Sequence, residues 1–221
     1  MMRIITGSAR GVKLDTLEGE TTRPTAERVK EAVFSMIQFD LEGRAVLDLF
    51  AGSGQLGLEA LSRGAERATM IDESRDAVGI IMGNARKTKL FEHCRISCAD
   101  YASFIRGASG KERYDIVFLD PPYASGLVPE ALRKLKKGDL FAPGAIVICE
   151  TDNETDARPS RRHVDEAELA AKEAAAVRRD VFGDDDTLAG QFCVKKSVSY
   201  GRTRITVLLA QEAGESEADE A

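Results

Sequence analysis

No stretch of this sequence reaches the run of about 18 apolar residues that a membrane-spanning helix requires. The opening residues, MMRIITGSARGVKL, lack the apolar block of a secretory signal. A cytoplasmic protein is therefore expected. Cysteine is scarce, with four residues at 94, 98, 149 and 193, and no two of them form a C-x-x-C pair. His93, Cys94 and Cys98 lie close together, but their spacing fits no zinc pattern. Reduced cysteines in or near a core, and no bound metal, are expected. The acidic stretch GDDDT at 183–187 fails the spacing of a calcium loop and reads as solvated. Internal repeats are absent. Hydrophobic residues make up 43% of the 221 positions, which suits one sizeable domain with a buried core.

An excess of positive charge is also missing, since the net charge is −6. Taken whole, that argues against a nucleic-acid partner. Its distribution argues otherwise. Residues 211–221 carry five acids and no base, and residues 151–190 carry eleven acids and six bases. Each stretch is thus net −5, which leaves +4 on the remainder. The body is mildly basic and the acidity is peripheral. The tail from 211 to 221 reads as a disordered, solvated end.

The chain shows clear punctuation. RIITGSARGVKL reads as two short strands around a Ser/Gly turn, made basic by Arg3, Arg10 and Lys13. TRPTAERVKEAVFSMI has helical spacing, with Thr25 as its expected cap. Together these form an N-terminal extension over about residues 1–40, by the usual accuracy of boundaries. Apolar strands then alternate with helical patterns: AVLDLF, ATMID, CRISCAD, YDIVFLD and AIVICE are the strands. That alternation predicts an α/β fold with a mostly parallel sheet covered by helices on both faces. CVKKSVSYGRTRITVLLA predicts a closing hairpin that turns at Tyr200-Gly201, with one arm joining the sheet antiparallel. A single α/β domain is expected over 41–210. Within it, 151–190 is an acidic, partly helical insert with little apolar bulk, expected to be exposed.

Gly52, Gly54 and Gly57 spell G-x-G-x-x-G between a strand and a helix, and Asp72 follows Gly52 by twenty residues at the end of the next strand. Glycines let backbone approach a ligand closely, and a carboxylate accepts protons from ribose hydroxyls. Any adenosine-containing cofactor could use this arrangement. Asp48, just before the loop, discriminates: an acid repels a pyrophosphate but attracts the sulfonium and ammonium of S-adenosylmethionine. Asp100 ends the third strand. It either faces a bound adenine or caps the helix that follows.

The stretch DPPY at 120–123 ends the fourth strand, at the carboxyl edge where parallel sheets build their ligand crevice. Pro121 and Pro122 stiffen the corner and carry no N–H. Asp120 and the Pro121 carbonyl can both accept hydrogens from one exocyclic amine. That turns the nitrogen lone pair toward a methyl donor and stabilises developing positive charge. Tyr123 offers a flat face on which a base can stack.

In this order, FAGSG, the acid of ATMID and DPPY resemble amino-directed class I methyltransferases. More narrowly, RIITGSARGVKL, TRPTAERVKEAVFSMI, DLFAGSGQLGLEALSRGA and FLDPPY resemble the RsmD family, the 16S ribosomal RNA guanine N2-methyltransferases. The resemblance covers about residues 2–150 and the final hairpin, within the accuracy of such boundaries. It implies a Rossmann-like, seven-stranded sheet whose last strand runs antiparallel. It also implies S-adenosylmethionine as donor, and a guanine of small-subunit RNA, free or in an assembling 30S particle, as acceptor. By this likeness Asp48, Phe50, Ala51, Gly52 and Gly54 match the cofactor loop, Asp72 the ribose-binding acid, and Asp100 with Tyr101 the adenine side. Asp120, Pro121, Pro122 and Tyr123 match the catalytic tetrapeptide. Arg23 and Arg28 match a segment at the cofactor and RNA entrance. A monomer without a membrane partner is expected.

Arg3, Arg10, Lys13, Arg23 and Arg28, with Lys195, Lys196, Arg202 and Arg204 beside them, are the candidate phosphate contacts. The insert 151–190 and the acidic tail depart from the family pattern. Because an acidic insert repels phosphates, it is expected to lie away from the RNA face. Three rivals stay open on sequence grounds: an adenine N6-methyltransferase, a nucleotide-sensing protein with a degenerate site, and an NAD-linked redox enzyme.

Overall fold

The computed structural model describes residues 2–17, 24–122, 126–152 and 166–211, with the side chains of 24–26 and 166–169 excepted. Arg23, Tyr123 and the tail beyond Gln211 lie outside the described residues. In chain order the elements are α1 (Pro24–Met36), β1 (Ala45–Asp48), α2 (Gln55–Ser62), β2 (Arg67–Asp72), α3 (Arg75–Lys87), β3 (Cys94–Cys98) and α4 (Tyr101–Ala108). There follow β4 (Tyr114–Leu119), α5 (Leu127–Lys137), β5 (Phe141–Asp152), α6 (Glu166–Phe182), α7 (Asp186–Ala189), β6 (Phe192–Tyr200) and β7 (Thr203–Ala210).

One seven-stranded sheet has the order β3-β2-β1-β4-β5-β7-β6. Strands β1 to β5 pair in parallel, and β7 runs antiparallel to both β5 and β6. This is the class I methyltransferase architecture expected from the sequence. The buried strands are apolar on both faces because helices cover both. The edge strand β3 is only half-buried, which fits its mixed sequence CRISC. The strand order reverses between β1 and β4, so the carboxyl ends of these neighbours form the crevice of the sheet.

The N-terminal segment differs from the two strands expected. It holds a single antiparallel bridge, Arg3 to Lys13, around a turn. The physical reason lies in where its backbone donors go. The N–H groups of Ile5 and Thr6 donate to the Glu59 carboxylate at 2.8 and 3.0 Å, and that of Ala9 donates to the Ser62 hydroxyl at 3.0 Å. These groups serve α2 instead of a strand partner. Gly7, at φ +88°, is pressed onto the same helix; a Cβ there would lie 1.7 Å from the Ser62 carbonyl oxygen. Glu59 is fully buried and also accepts from Arg63 Nε at 2.8 Å, with Lys30 Nζ 3.5 Å away. Burial pulls the Lys30 ammonium pKa down, and the Glu59 charge opposes that shift.

Helix α1 begins at Pro24, so Thr25 lies in its first turn and is not its cap. Proline suits that first turn, where a missing N–H costs no helical hydrogen bond. Val33, Phe34 and Ile37 are buried with Ile116, Phe118 and Ile148 of the sheet. Each such side chain contributes about 1.5–3 kcal/mol of burial. The extension therefore shares the core of the sheet.

The insert also differs from the exposed helix expected. Residues 170–175 of α6 are exposed, but Ala176, Val177, Val181 and Phe182 are buried, and the last three join Leu132 and Leu135 of α5 in one cluster. The apolar residues were few but fell at helical spacing near the end of the helix. Arg204 was expected at a phosphate. It is buried on β7 and paired with Asp180 of α6 at 2.5 Å, which takes it out of any surface role. Helix α6 packs on the α5 side of the sheet, whereas the N-terminal segment packs on the other side.

Candidate active site

Asp48 closes β1 and is buried beneath the glycine turn. Its Oδ2 accepts from the Gly57 N–H at 3.1 Å, while Oδ1 is buried without a hydrogen-bond partner among the described residues. Burial raises its pKa to about 7; the Gly57 N–H opposes this and the Asp72 charge adds to it. A buried carboxylate oxygen lacking a donor is costly as an anion. Protonation relieves that cost, and so does a cation brought beside it. The site thus holds Asp48 in a state that a cationic ligand would change.

The turn itself is held from two sides. Gly52 N–H donates to Asp72 Oδ2 at 2.8 Å, and the other Asp72 oxygen accepts from Ser74 N–H at 2.9 Å. Each carboxylate oxygen keeps a second lone pair for a ribose hydroxyl. Gly54 adopts φ +77° at the start of α2, a conformation that suits glycine, and a Cβ there would come within 3.1 Å of Ile81. A Cβ on Gly57 would meet Met70 Cγ and Sδ at 2.7 Å, so this glycine lets the helix lie close on β2. Ala51 is buried and its N–H donates to the Ile71 carbonyl at 2.9 Å.

Phe50 and Tyr101 bring their rings within 5.4 Å of each other, tilted by 45°, and both pack on the core from the crevice edge. Burial and the nearby Glu130 carboxylate push the Tyr101 hydroxyl up to about 12. Asp100 is the N-cap of α4: its Oδ1 accepts from Ser103 N–H at 2.9 Å. Hydrogen bonds from Ser103 hold its carboxyl below the usual carboxylate range. The capping reading thus describes its contact.

Asp120 follows β4 directly and is half-buried, Pro121 is buried and Pro122 exposed. Phe118, two residues before Asp120, pairs with Asp48 across β1 and β4. From strand spacing and rise, this sets the two acids about 8 Å apart along the backbone. The glycine turn and the Asp-Pro-Pro corner therefore open on one crevice at the reversal of strand order. Tyr123 lies outside the described residues.

The candidate RNA contacts fall in different places. Lys30 and Phe34 of α1 meet Glu59 and Arg63 of α2 in order, so the two helices run side by side in the same direction. Arg3 pairs with Glu27 at 2.8 Å, near the start of α1 and hence near the glycine turn. Lys13 faces Arg3 across the bridge, and Arg28 is exposed on α1. Arg10 belongs to the turn whose Ser8 N–H donates to the Ser62 carbonyl, at the far end of α2. The β6–β7 turn, with exposed Arg202, lies at the crevice edge, because Asp152 pairs with Thr203 there.

One residue that sequence reasoning passed over is Asn84. It sits on the stripe of α3 formed by Ala77, Val78, Ile81 and Ala85, fully buried, and bonds the carbonyl of Ser53 inside the glycine turn. A polar residue on an apolar stripe was the available signal.

A family model described as "Conserved hypothetical protein 95" matches residues 2–176. The chain is 36% identical over 153 residues to ribosomal RNA small subunit methyltransferase D of Escherichia coli, covering 69% of this chain and 76% of that protein. It is 34% identical over 154 residues to the protein of the same name in Haemophilus influenzae, covering 69% and 80%. The solved yhhF structure of Escherichia coli superimposes with a TM-score of 0.71 at 27% identity, over 95% of this chain and 98% of that one. A conserved hypothetical protein of Streptococcus pyogenes gives 0.62 at 30% identity, over 82% and 95%. By the family model over residues 2–176 and these relatives, this chain belongs to the RsmD family of ribosomal RNA methyltransferases.

Proposed function

We propose that this methyltransferase acts on the exocyclic N2 amine of a guanine in small-subunit ribosomal RNA. The observation that carries the reading is the shared crevice: Asp48 and Asp72 around the glycine turn, with Asp120 on the adjoining strand end. When bound, S-adenosylmethionine supplies an electrophilic methyl group to an amine that sheds one proton. Asp48, Asp72 and the Gly52–Gly54 turn would hold this donor, with Phe50 and Tyr101 at its aromatic side.

Asp120 and the Pro121 carbonyl grip the two amine hydrogens of the base. That grip rotates the nitrogen lone pair out of conjugation and stabilises charge as it develops. Asp120 serves as an orienting acceptor, because the amine becomes acidic once substituted and needs no strong base. Pro121 and Pro122 fix the corner, and Tyr123 supplies the stacking face. A base inside a helix is out of reach, so the guanine must be unpaired or flipped. Arg3, Lys13 and Arg28 lie on the side of the molecule that a phosphate backbone would follow into the crevice. The reading places the protein in the cytoplasm, where small subunits assemble.

The test is transfer of a tritiated methyl group to undermethylated small-subunit RNA, naked and protein-bound, followed by nucleoside identification. N2-methylguanosine at one site is the expected product. N6-methyladenosine would overturn the guanine assignment, and donor binding without transfer would favour a sensing role.

A further inference from the structure

We infer that Asn84 is a positioning residue that joins the N-terminal segment to the donor-binding turn, so that donor binding and the seating of that segment depend on each other. The inference rests on the donor site described above and concerns what lies behind it.

Asn84 projects from α3 into a fully buried position between two pieces of backbone. Its Oδ1 accepts from the Asp15 N–H at 2.8 Å, and its Nδ2 donates to the Asp15 carbonyl at 2.9 Å. The side-chain amide thereby acts toward Asp15 as a neighbouring strand would. The second Nδ2 hydrogen goes to the Ser53 carbonyl at 2.9 Å. Three of the four hydrogen bonds that an amide can make are thus used, and all go to backbone. Only one orientation of the amide satisfies them. A second tie reaches the same residue, since the Ser53 hydroxyl donates to Met2 Sδ at 3.1 Å. Met2 in turn accepts from Leu14 N–H at 2.9 Å, next to Asp15.

Ser53 stands between Gly52 and Gly54, whose left-handed conformations shape the turn. Asp72 fixes the turn on its β2 side through Gly52. On the other side its hold is Asn84 of α3, whose amide the N-terminal segment orients through Asp15, together with Met2. Displacing that segment would remove the Met2 tie and two of the three bonds that fix the Asn84 amide, and a turn flanked by two glycines has little local stiffness to keep its shape. Linkage then requires the reverse: a donor that fixes the turn also fixes Asp15.

The test uses the full chain and S-adenosylhomocysteine as the unreactive probe. In the wild type, the probe should slow amide exchange at Asp15 about tenfold more than at Ala9, as local coupling of the usual 1–3 kcal/mol would do. Ala9 belongs to the same segment but bonds Ser62, at the far end of α2. Equal slowing at both amides reflects global stabilisation and overturns the inference. Asn84→Ala should weaken probe binding about tenfold, the scale of one lost buried hydrogen bond. It should raise KM for the donor while leaving kcat at saturating donor within about twofold. Lys87→Ala removes only the outer contact to the Asp15 side chain at 2.9 Å and should leave probe affinity unchanged. Wild-type probe affinity in folded Asn84→Ala would also overturn the inference. Should Asn84→Ala not fold, the exchange comparison in the wild type decides alone. Absence of any probe binding to the wild type would instead sink the donor site itself.

Discussion

Burial lifts the Asp48 carboxyl to about 7, against an ordinary value of 3.8. The sign of the consequence follows from which state holds the proton. Between those two values the folded protein keeps Asp48 protonated while the unfolded chain does not. The contribution of Asp48 to stability therefore falls as pH rises from about 4 to about 7. A cationic donor favours the ionised form and must expel the proton when pH is below about 7. Donor affinity should accordingly weaken below about pH 7, by at most about tenfold per unit, and level off above it. Calorimetric titration at several pH values checks this, and Asp48→Asn should abolish the slope. Asp120 makes the other residue-level prediction. Asp120→Asn keeps an acceptor and should retain measurable turnover. Asp120→Ala should lose about a hundredfold or more in kcat, the scale of one removed transition-state contact. Equal turnover of the alanine variant and the wild type would remove Asp120 from the chemistry.

Among the elements, α6 owes its place to its last turns. Arg204 of β7 is buried and Asp180 of α6 half-buried, and their pairing ties the insert to the closing strand. Removing Asp180 takes one charge-assisted partner from the buried guanidinium. Asp180→Ala should therefore cost about 1.5–3 kcal/mol in urea unfolding, the scale of a hydrogen bond to a charged group. Methyl transfer at a temperature where the variant is folded should persist, because the last turns of the helix pack against α5. Helix α1 plays the matching part on the other face, where Lys30, Glu59 and Arg63 form a buried charge group beneath the N-terminal segment. That group connects three stretches of chain, and its members stand in sequence among ordinary helix-surface residues.

At the scale of the whole molecule, Arg3 and Lys13 lie on the face of the sheet opposite α6. A phosphate backbone entering the crevice from the Arg3 side meets basic groups first. Arg3→Ala and Lys13→Ala should each weaken RNA binding and lower the salt slope by about one, when affinity is measured against salt concentration. Arg10→Ala should change both less, because its turn sits at the far end of α2. Equal effects from all three would mean a footprint wider than the crevice edge.

The sequence by itself determined the strand and helix alternation, the position of the glycine turn, and the acids at 48, 72 and 120. Each of these is a local signal: a period, a turn residue, or a carboxylate ending an apolar run. It also carried the family likeness, since the motifs stand in the order that the sheet requires. Other features depended on partners distant in the chain. The N–H groups of Ile5, Thr6 and Ala9 bond α2 because Glu59 and Ser62 offer acceptors more than fifty residues away. Arg204 leaves the surface because Asp180 arrives beside it, and Asn84 becomes a joint only once Asp15 and Ser53 meet across α3. Burial of a charge or an amide is a property of the packed molecule, so the tertiary structure alone decided which polar residues hold the site together.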